Sequence, residues 1–308
     1  MKHLFTTAVV VGLLAAISGE TRGQSLPPVN LGLTSFVDGL PPAGPGFYFQ
    51  QYFQYFSAER FNDSDGDQLS APGGVDVTLS LSQFIYQSDQ ELLLGGKWGI
   101  DVIVPLVYAN LDSGGAPISE NNAGLGDILV GPFLQWDPII RDGRPIFAHR
   151  IELQMIFPTG EYSDRDAVNP GSNFFSFNPY WSATYFPAPR WELSTRIHYL
   201  WNDQNDDPLV GDDAQAGQAV HLNFAGSYEL LEKRLRVGVN GYYLTQITEA
   251  EVNGQEIDDS KERVLGIGPG ALYSFSKDNH LFFNLYFETL TENRPEGWRA
   301  VLRWVHHF

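Results

Sequence analysis

Nucleophilic catalysis needs a serine, threonine or cysteine held beside a base, and this chain offers few of those parts. It has no cysteine and seven histidines. No Gly-x-Ser-x-Gly elbow occurs, and none of the histidines, His149 and His221 included, has a serine two positions on. Asp63, Asp65 and Asp67 look like the start of a calcium loop. An EF-hand needs its glycine sixth and a bidentate acid twelfth, whereas Gly66 is fourth from Asp63. What remains is non-covalent chemistry. Arg150, Glu152, Arg196 and Arg236 can orient a polar group, and the rings of Tyr180, Tyr242 and Tyr286 can stack on a flat one. These seven are the candidate substrate-binding residues, and no cofactor or metal is expected.

All seven sit in stretches whose polarity alternates with period two, the signature of strands whose side chains point to opposite faces. Phe147, Ile151, Leu153, Met155 and Phe157 oppose Arg150, Glu152 and Gln154. Trp191, Leu193, Ile197, Tyr199 and Trp201 oppose Glu192, Ser194, Arg196 and His198. Leu281, Phe283, Leu285 and Phe287 oppose His280, Asn284, Tyr286 and Glu288. In 75–82 the split is complete, with Val75, Val77, Leu79 and Leu81 against Asp76, Thr78, Ser80 and Ser82. Weaker alternation marks 47–57, 97–108, 126–136, 173–186, 218–230, 234–247 and 264–275. Pro105, Pro132, Pro179 and Pro269 fall inside four of these and require bulges or bends. About twelve strands result, an even number, as in bacterial single-chain membrane barrels. The apolar faces are expected to meet lipid and the polar faces to line the inside. Arg234, Glu229, Glu288, Arg299 and Arg303 then also point inward, as do Tyr48, Tyr52 and Tyr86.

Both ends support an exported membrane barrel. In the last stretch Trp298, Ala300, Leu302, Trp304 and Phe308 share one face, and Arg299, Arg303 and His307 the other. An amphipathic strand ending on phenylalanine resembles the signal that barrel-assembly machinery reads, with Trp304 and Phe308 as its key residues. At the other end Lys2 and His3 precede an apolar run, 4–17, followed by small and polar residues, the layout of a signal peptide covering 1–23. That run is too short to span a bilayer as a helix; an uncleaved anchor is the alternative. Residues 24–46 are expected as a periplasmic segment and 47–308 as the barrel. Aromatic residues make up 14% of the chain while mean hydropathy is only −0.19, because alternation hides membrane strands from an average. A formal charge of −18 repels nucleic acid.

The connections alternate in length. Segments 59–74, 110–122, 159–171, 202–217 and 248–262 are long and 291–296 modest, whereas 87–91, 187–190, 231–233 and 276–279 are short and 137–146 intermediate. Short periplasmic turns and long extracellular loops are the habit of outer-membrane barrels; a soluble β-sandwich would lack this beat. The six outer connections hold 22 of the chain's 37 acidic residues. They form either a solvated rim or a surface that meets divalent ions and lipopolysaccharide.

Three motifs carry a family resemblance. Gly124-Leu125-Gly126-Asp127-Ile128 leads into Gly131-Pro132; Phe157-Pro158-Thr159-Gly160-Glu161-Tyr162 follows; then comes Asn169-Pro170-Gly171-Ser172-Asn173-Phe174-Phe175 before Pro179-Tyr180-Trp181. Together they resemble the bacterial family of the meta-pathway of phenol degradation, from about Lys97 to Phe308. The resemblance implies an outer-membrane barrel that helps small hydrophobic or aromatic solutes cross. One departure is Asp213-Ala214-Gln215-Ala216-Gly217, where an Asp-Tyr-x-Ser-Gly motif would be expected. Two other classes stay open: a closed structural or adhesive barrel with ion- or lipopolysaccharide-binding loops, and a membrane hydrolase.

Overall fold

The computed structural model describes residues 24–41, 43–69, 73–112, 121–166 and 168–308. The expected signal peptide lies outside them. No helix occurs among the described residues. Twelve antiparallel strands build the wall: β1 Gly46–Phe61, β2 Gly74–Leu93, β3 Gly96–Asp112, β4 Ile128–Gln135, β5 Arg144–Glu152 continued by Met155–Phe157, and β6 Ser176–Phe177 continued by Tyr180–Tyr185. Then come β7 Trp191–Asn202, β8 Ala219–Leu231, β9 Leu235–Gln246, β10 Arg263–Ser274, β11 Asn279–Glu292 and β12 Pro295–His307. Each pairs with the next in sequence, and β1 pairs with β12 from Tyr48↔His307 to Phe61↔Pro295. The sheet therefore closes, which leaves no unpaired edge to face lipid.

Proline explains the interruptions. Ladder pairing between β4 and β5 lapses around Pro132 and Leu153–Gln154, β6 is split at Pro179, and β3 loses its pairing to β4 just beyond Ile103, at Pro105. Single backbone bonds bridge the gaps, such as Leu153 N to Pro132 O at 3.0 Å. The long connections do gather at one end and the short ones at the other. Among the long ones, Gln204–Asn205, Ala214–Gln215, Ala250–Val252 and Gln255–Ile257 pair into a separate four-stranded sheet at the long-loop end. The Asp213–Gly217 departure lies there. One turn is displaced from expectation: β2 continues through the polar run 87–91 and turns at Leu94–Gly95, both with positive φ (51° and 79°), as a two-residue hairpin requires.

The outward face is apolar on most strands, with aromatic pairs toward both ends, such as Tyr55–Trp298 at 5.4 Å and Phe47–Tyr86 at 4.7 Å. Strand β2 reverses the expectation. Val75, Leu81 and Ile85 are buried inside, while Asp76, Thr78, Ser80 and Ser82 share the outer face with Phe84. The register leaves no freedom here, because a one-residue slip would turn every side chain over, and β1 and β2 pair without a break from Gly46↔Gln87 to Ala58↔Val75. The outward polar groups bond one another: Gln51 Nε2 donates to Ser80 Oγ (3.0 Å), Ser82 Oγ to Gln51 Oε1 (2.9 Å), and Tyr55 OH to Asp76 Oδ1 (2.7 Å). Tyr86, expected inside, is outside against Trp98. Arg234 lies exposed in the turn before β9.

The segment 24–41, expected in the periplasm, runs down inside the barrel. It forms no strand, so its backbone groups need partners from the wall. Asn223 supplies two, accepting from Gly32 N (2.7 Å) and donating to Asn30 O (3.0 Å). Tyr286 OH donates to Gly32 O at 2.8 Å, Gly39 N donates to Thr184 Oγ1 at 2.9 Å, and Gln135 Nε2 donates to Gly39 O at 3.0 Å. Asp38 accepts both Arg196 Nε and Nη2, at 2.7 and 2.9 Å. Phe36 is fully buried over Gly270, where a Cβ would come within 3.0 Å of its ring. Gly39 presses so closely on the Ala148 and Thr184 backbones that a Cβ would lie 2.6 Å from them. Apolar Leu26, Leu31 and Leu33 join the core cluster of Tyr52, Leu81, Tyr242 and Tyr286.

The three motifs of the resemblance meet at the outer end of β4 and β5. The Asp127 carboxylate accepts Gly160 N at 2.9 Å and Ser172 N at 2.7 Å, while Glu161 N donates to Leu125 O and Gly171 N to Glu161 O. Gly160 and Gly171 pack backbone to backbone. One buried carboxylate thus staples two loops. Asp127→Ala leaves the buried Ser172 N–H and the half-buried Gly160 N–H unpaired and is expected to lower stability by roughly 1–4 kcal/mol, read as a fall in the urea midpoint for folding in lipid vesicles. On β2, Leu81→Ala is expected to cost about 2–5 kcal/mol whereas Ser82→Leu leaves the midpoint unchanged or higher. Opposite signs would place Leu81 against lipid.

Candidate functional site

The inner segment divides the lumen. Polar side chains of β4, β6, β8 and β11 hold its backbone, and unfilled space remains beside it, mainly along β1 to β5. Three chambers follow one another along this passage, with about 1090, 760 and 630 Å³ of unfilled space, open solvent included. The outer chamber opens among Asn169, Ser172, Glu262 and Arg294, and shares Val29, Leu79 and Val107 with the middle one. The middle chamber shares Thr34, Tyr52, Gln83 and Arg196 with the inner one, which ends at Pro41, Gln87 and Val305.

Their surfaces differ. The outer and middle chambers are mostly apolar because β2 turns Val77, Leu79 and Leu81 inward, beside Ile103, Leu129 and Ile156. An apolar wall of this kind favours apolar solutes by the area it removes from water. The inner chamber carries Arg150, Arg196 and Arg303 among Tyr48, Tyr52, Tyr180 and Phe282. Arg150 Nη2 lies 2.6 Å from Glu152 Oε2, which also accepts Tyr180 OH at 2.7 Å. The Arg196 guanidinium sits 4.0 Å over the Tyr180 ring and that of Arg150 3.5 Å over Phe133. A network runs from Asp101 through Gln83 to the Tyr52 hydroxyl, whose single proton lies between Gln83 Oε1 (2.8 Å) and Gln50 Oε1 (3.0 Å). Buried guanidiniums are tolerated where acids or ring faces offset their lost hydration.

Of the seven candidate residues, the structure brings Arg150, Glu152, Tyr180 and Arg196 into one cluster. Tyr242 and Tyr286 form a second pair, with ring centroids 5.1 Å apart, under Gly32 of the inner segment. Both are fully buried and line none of the three chambers, so they hold the segment in place. Arg236 stands apart, 3.6 Å from Glu229 and bonded to Arg190 O near the short turns. Asp38, Gln83, Leu79 and the pairing of Tyr52 with Gln50 were not singled out from sequence. For Gln83, Leu79, Tyr52 and Gln50 the signal was present in the alternation of β1 and β2, once Phe84 and Tyr86 are taken to mark the lipid side; Asp38 lies outside both strands.

Among the described residues, the histidines are taken up in other contacts. His149 faces outward, stacked on Trp136 with centroids 4.4 Å apart. His198 and His221 stack at 4.1 Å within the wall, and His221 bonds Asn178. Ser274 Oγ and His280 Nδ1 do meet, at 2.8 Å, but the other ring nitrogen is spent on the Lys277 carbonyl of the same turn. Asp63 accepts Asp65 N and Asp67 N, closing its own loop. No group of three or more potential metal ligands is found among the described residues.

Residues 58–304 match the family described as "Putative MetA-pathway of phenol degradation". A search of curated proteins finds no match. Among solved structures, the COG4313 outer membrane channel from Pseudomonas putida F1 superposes with a TM-score of 0.75 at 16% identity, covering 91% of this chain and 100% of the other. The beta domain of the Bordetella autotransporter Brka gives 0.49 at 13% identity, covering 86% and 100%. The CymD monoaromatic hydrocarbon channel gives 0.45 at 9%, covering 97% and 98%. The last two likenesses are too loose to carry weight, and the first speaks for the fold. The family match spans most of the wall and the staple that ties its three motifs together: the chain belongs to the MetA-pathway of phenol degradation family and is an outer-membrane β-barrel.

Proposed function

We propose that this barrel mediates passive passage of small apolar or aromatic solutes, without a cofactor and without catalysis, along the space between its inner segment and strands β1 to β5. The single observation that carries this reading is the row of three chambers, each sharing wall residues with the next, from the outer loops to the short-turn end. The apolar wall supplied by the turned-over β2 fits solutes of this kind, and so does family membership. Outer-membrane lipid and lipopolysaccharide surround the wall. The outward Trp304 and the terminal Phe308, whose N–H bonds Phe47 O at 3.0 Å, present the face that the assembly machinery would read.

A second reading, a closed adhesive barrel, draws support from the inner segment itself and from the small sheet formed by the long loops. Acids of that rim are partly engaged within the chain, as in Glu249 with Lys261 at 3.1 Å and Glu296 with Arg60 at 3.0 Å. Liposome swelling with purified protein separates the two readings. Wild type is expected to admit small aromatic solutes, Leu81→Trp to slow them several-fold by filling the middle chamber, and deletion of 24–41 to raise single-channel conductance. An impermeable wild type whose deletion variant is also impermeable would defeat the channel reading. Loss of surface binding on removal of 248–262 would support the adhesive one.

A further inference from the structure

Three arginines face the inner chamber, and two have acid partners. Arg150 is met by Glu152 and Arg196 by Asp38. Arg303 has no carboxylate within 4.0 Å among the described residues, although it is only 6% exposed. Its guanidinium lies 3.7 Å over the Phe282 ring and 5.8 Å from that of Tyr52. The neutral Tyr52 hydroxyl oxygen accepts from it, while its single proton is shared between Gln83 and Gln50. Arg303 Nε has no hydrogen-bond partner within the protein. A buried cation of this kind is costly unless an anion meets it, and a ring face offsets part of that cost only.

We propose that Arg303 anchors a carboxylate-binding subsite in the inner chamber, and that the solutes favoured there are small organic acids, aromatic acids foremost. This rests on the lumen being a solute path and adds the chemical class of the solute. A guanidinium offers two parallel N–H donors matched to a carboxylate. The body of the acid would lie against Phe282, Ile85, Val305 and Tyr48, which line the same chamber. Arg150 and Arg196 already carry their own acids, so the added charge falls to Arg303. The acidic outer loops oppose an approaching anion, but at physiological salt that field fades over about 8 Å. The cation inside the chamber then decides between charged and neutral solutes.

The test compares benzoate with benzamide, a neutral molecule of nearly the same shape, in flux assays on liposomes holding the full-length protein. Wild type is expected to pass benzoate roughly tenfold faster, the ratio one good charge-assisted pair supplies. Arg303→Gln should bring benzoate down to the benzamide rate and leave benzamide unchanged, while Arg303→Lys keeps part of the preference. Equal rates in wild type, or a preference that survives Arg303→Gln, would overturn the subsite and leave the channel standing. Passage of neither solute would overturn both. If Arg303→Gln does not fold, calorimetric titration of wild type with sodium benzoate decides. Saturable binding that equimolar chloride does not displace supports the subsite, and its absence, or displacement by chloride, refutes it.

Discussion

In hydrocarbon no water is present to satisfy a backbone N–H or C=O, so each must find a partner within the protein. That constraint closes β1 onto β12, and it commits every residue of the wall to one of two faces. Once the ring is closed, a side chain meets lipid or lumen by its parity alone. Tertiary packing then has little freedom left, and the chemistry of the lumen follows from which parity carries which residues. Most strands put their larger apolar groups outward. Strand β2 puts leucines and valines inward, and the mutual bonding of Gln51, Ser80 and Ser82 makes the polar outer face tolerable.

The same pairing requirement explains the inner segment. A chain stretch without strand partners inside a barrel must borrow side-chain donors and acceptors, and Asn223, Thr184, Gln135 and Tyr286 supply them. The Asp38–Arg196 pair adds a charge tie whose loss would leave a buried guanidinium uncompensated. The segment is therefore held from several strands at once, and the space left beside it runs mainly along β1 to β5.

Much of this was legible in the sequence. Twelve strands, their closure and the two-beat loops follow from period-two alternation and turn residues, because in a barrel that pattern is imposed by geometry. The phase of β2 was misread because alternation defines two faces without saying which is outer. Phe84 and Tyr86, on the same parity as Ser80 and Ser82, carried the answer, since aromatic residues collect where lipid meets water. The inner segment was missed for a related reason. From Gln24 to Pro45 only Asp38 is charged, and Leu26, Val29, Leu31, Leu33 and Phe36 are too apolar for a tail in water. Of the candidate residues, those on β5, β6 and β7 converge because neighbouring strands place them at one height. Tyr242 and Tyr286 have the same parity, but contacts distant in sequence assign them to the segment.

The phase of β2 is the point on which the passage depends, and spin labelling reads it directly. With no native cysteine in the chain, single cysteines can be placed at each position from 78 to 86 and their collision rates with oxygen measured in lipid bilayers. Maxima at Thr78, Ser80, Ser82, Phe84 and Tyr86, with minima at Leu79, Leu81, Gln83 and Ile85, are predicted. Maxima at the leucines would put the apolar face against lipid and remove the apolar wall from the lumen.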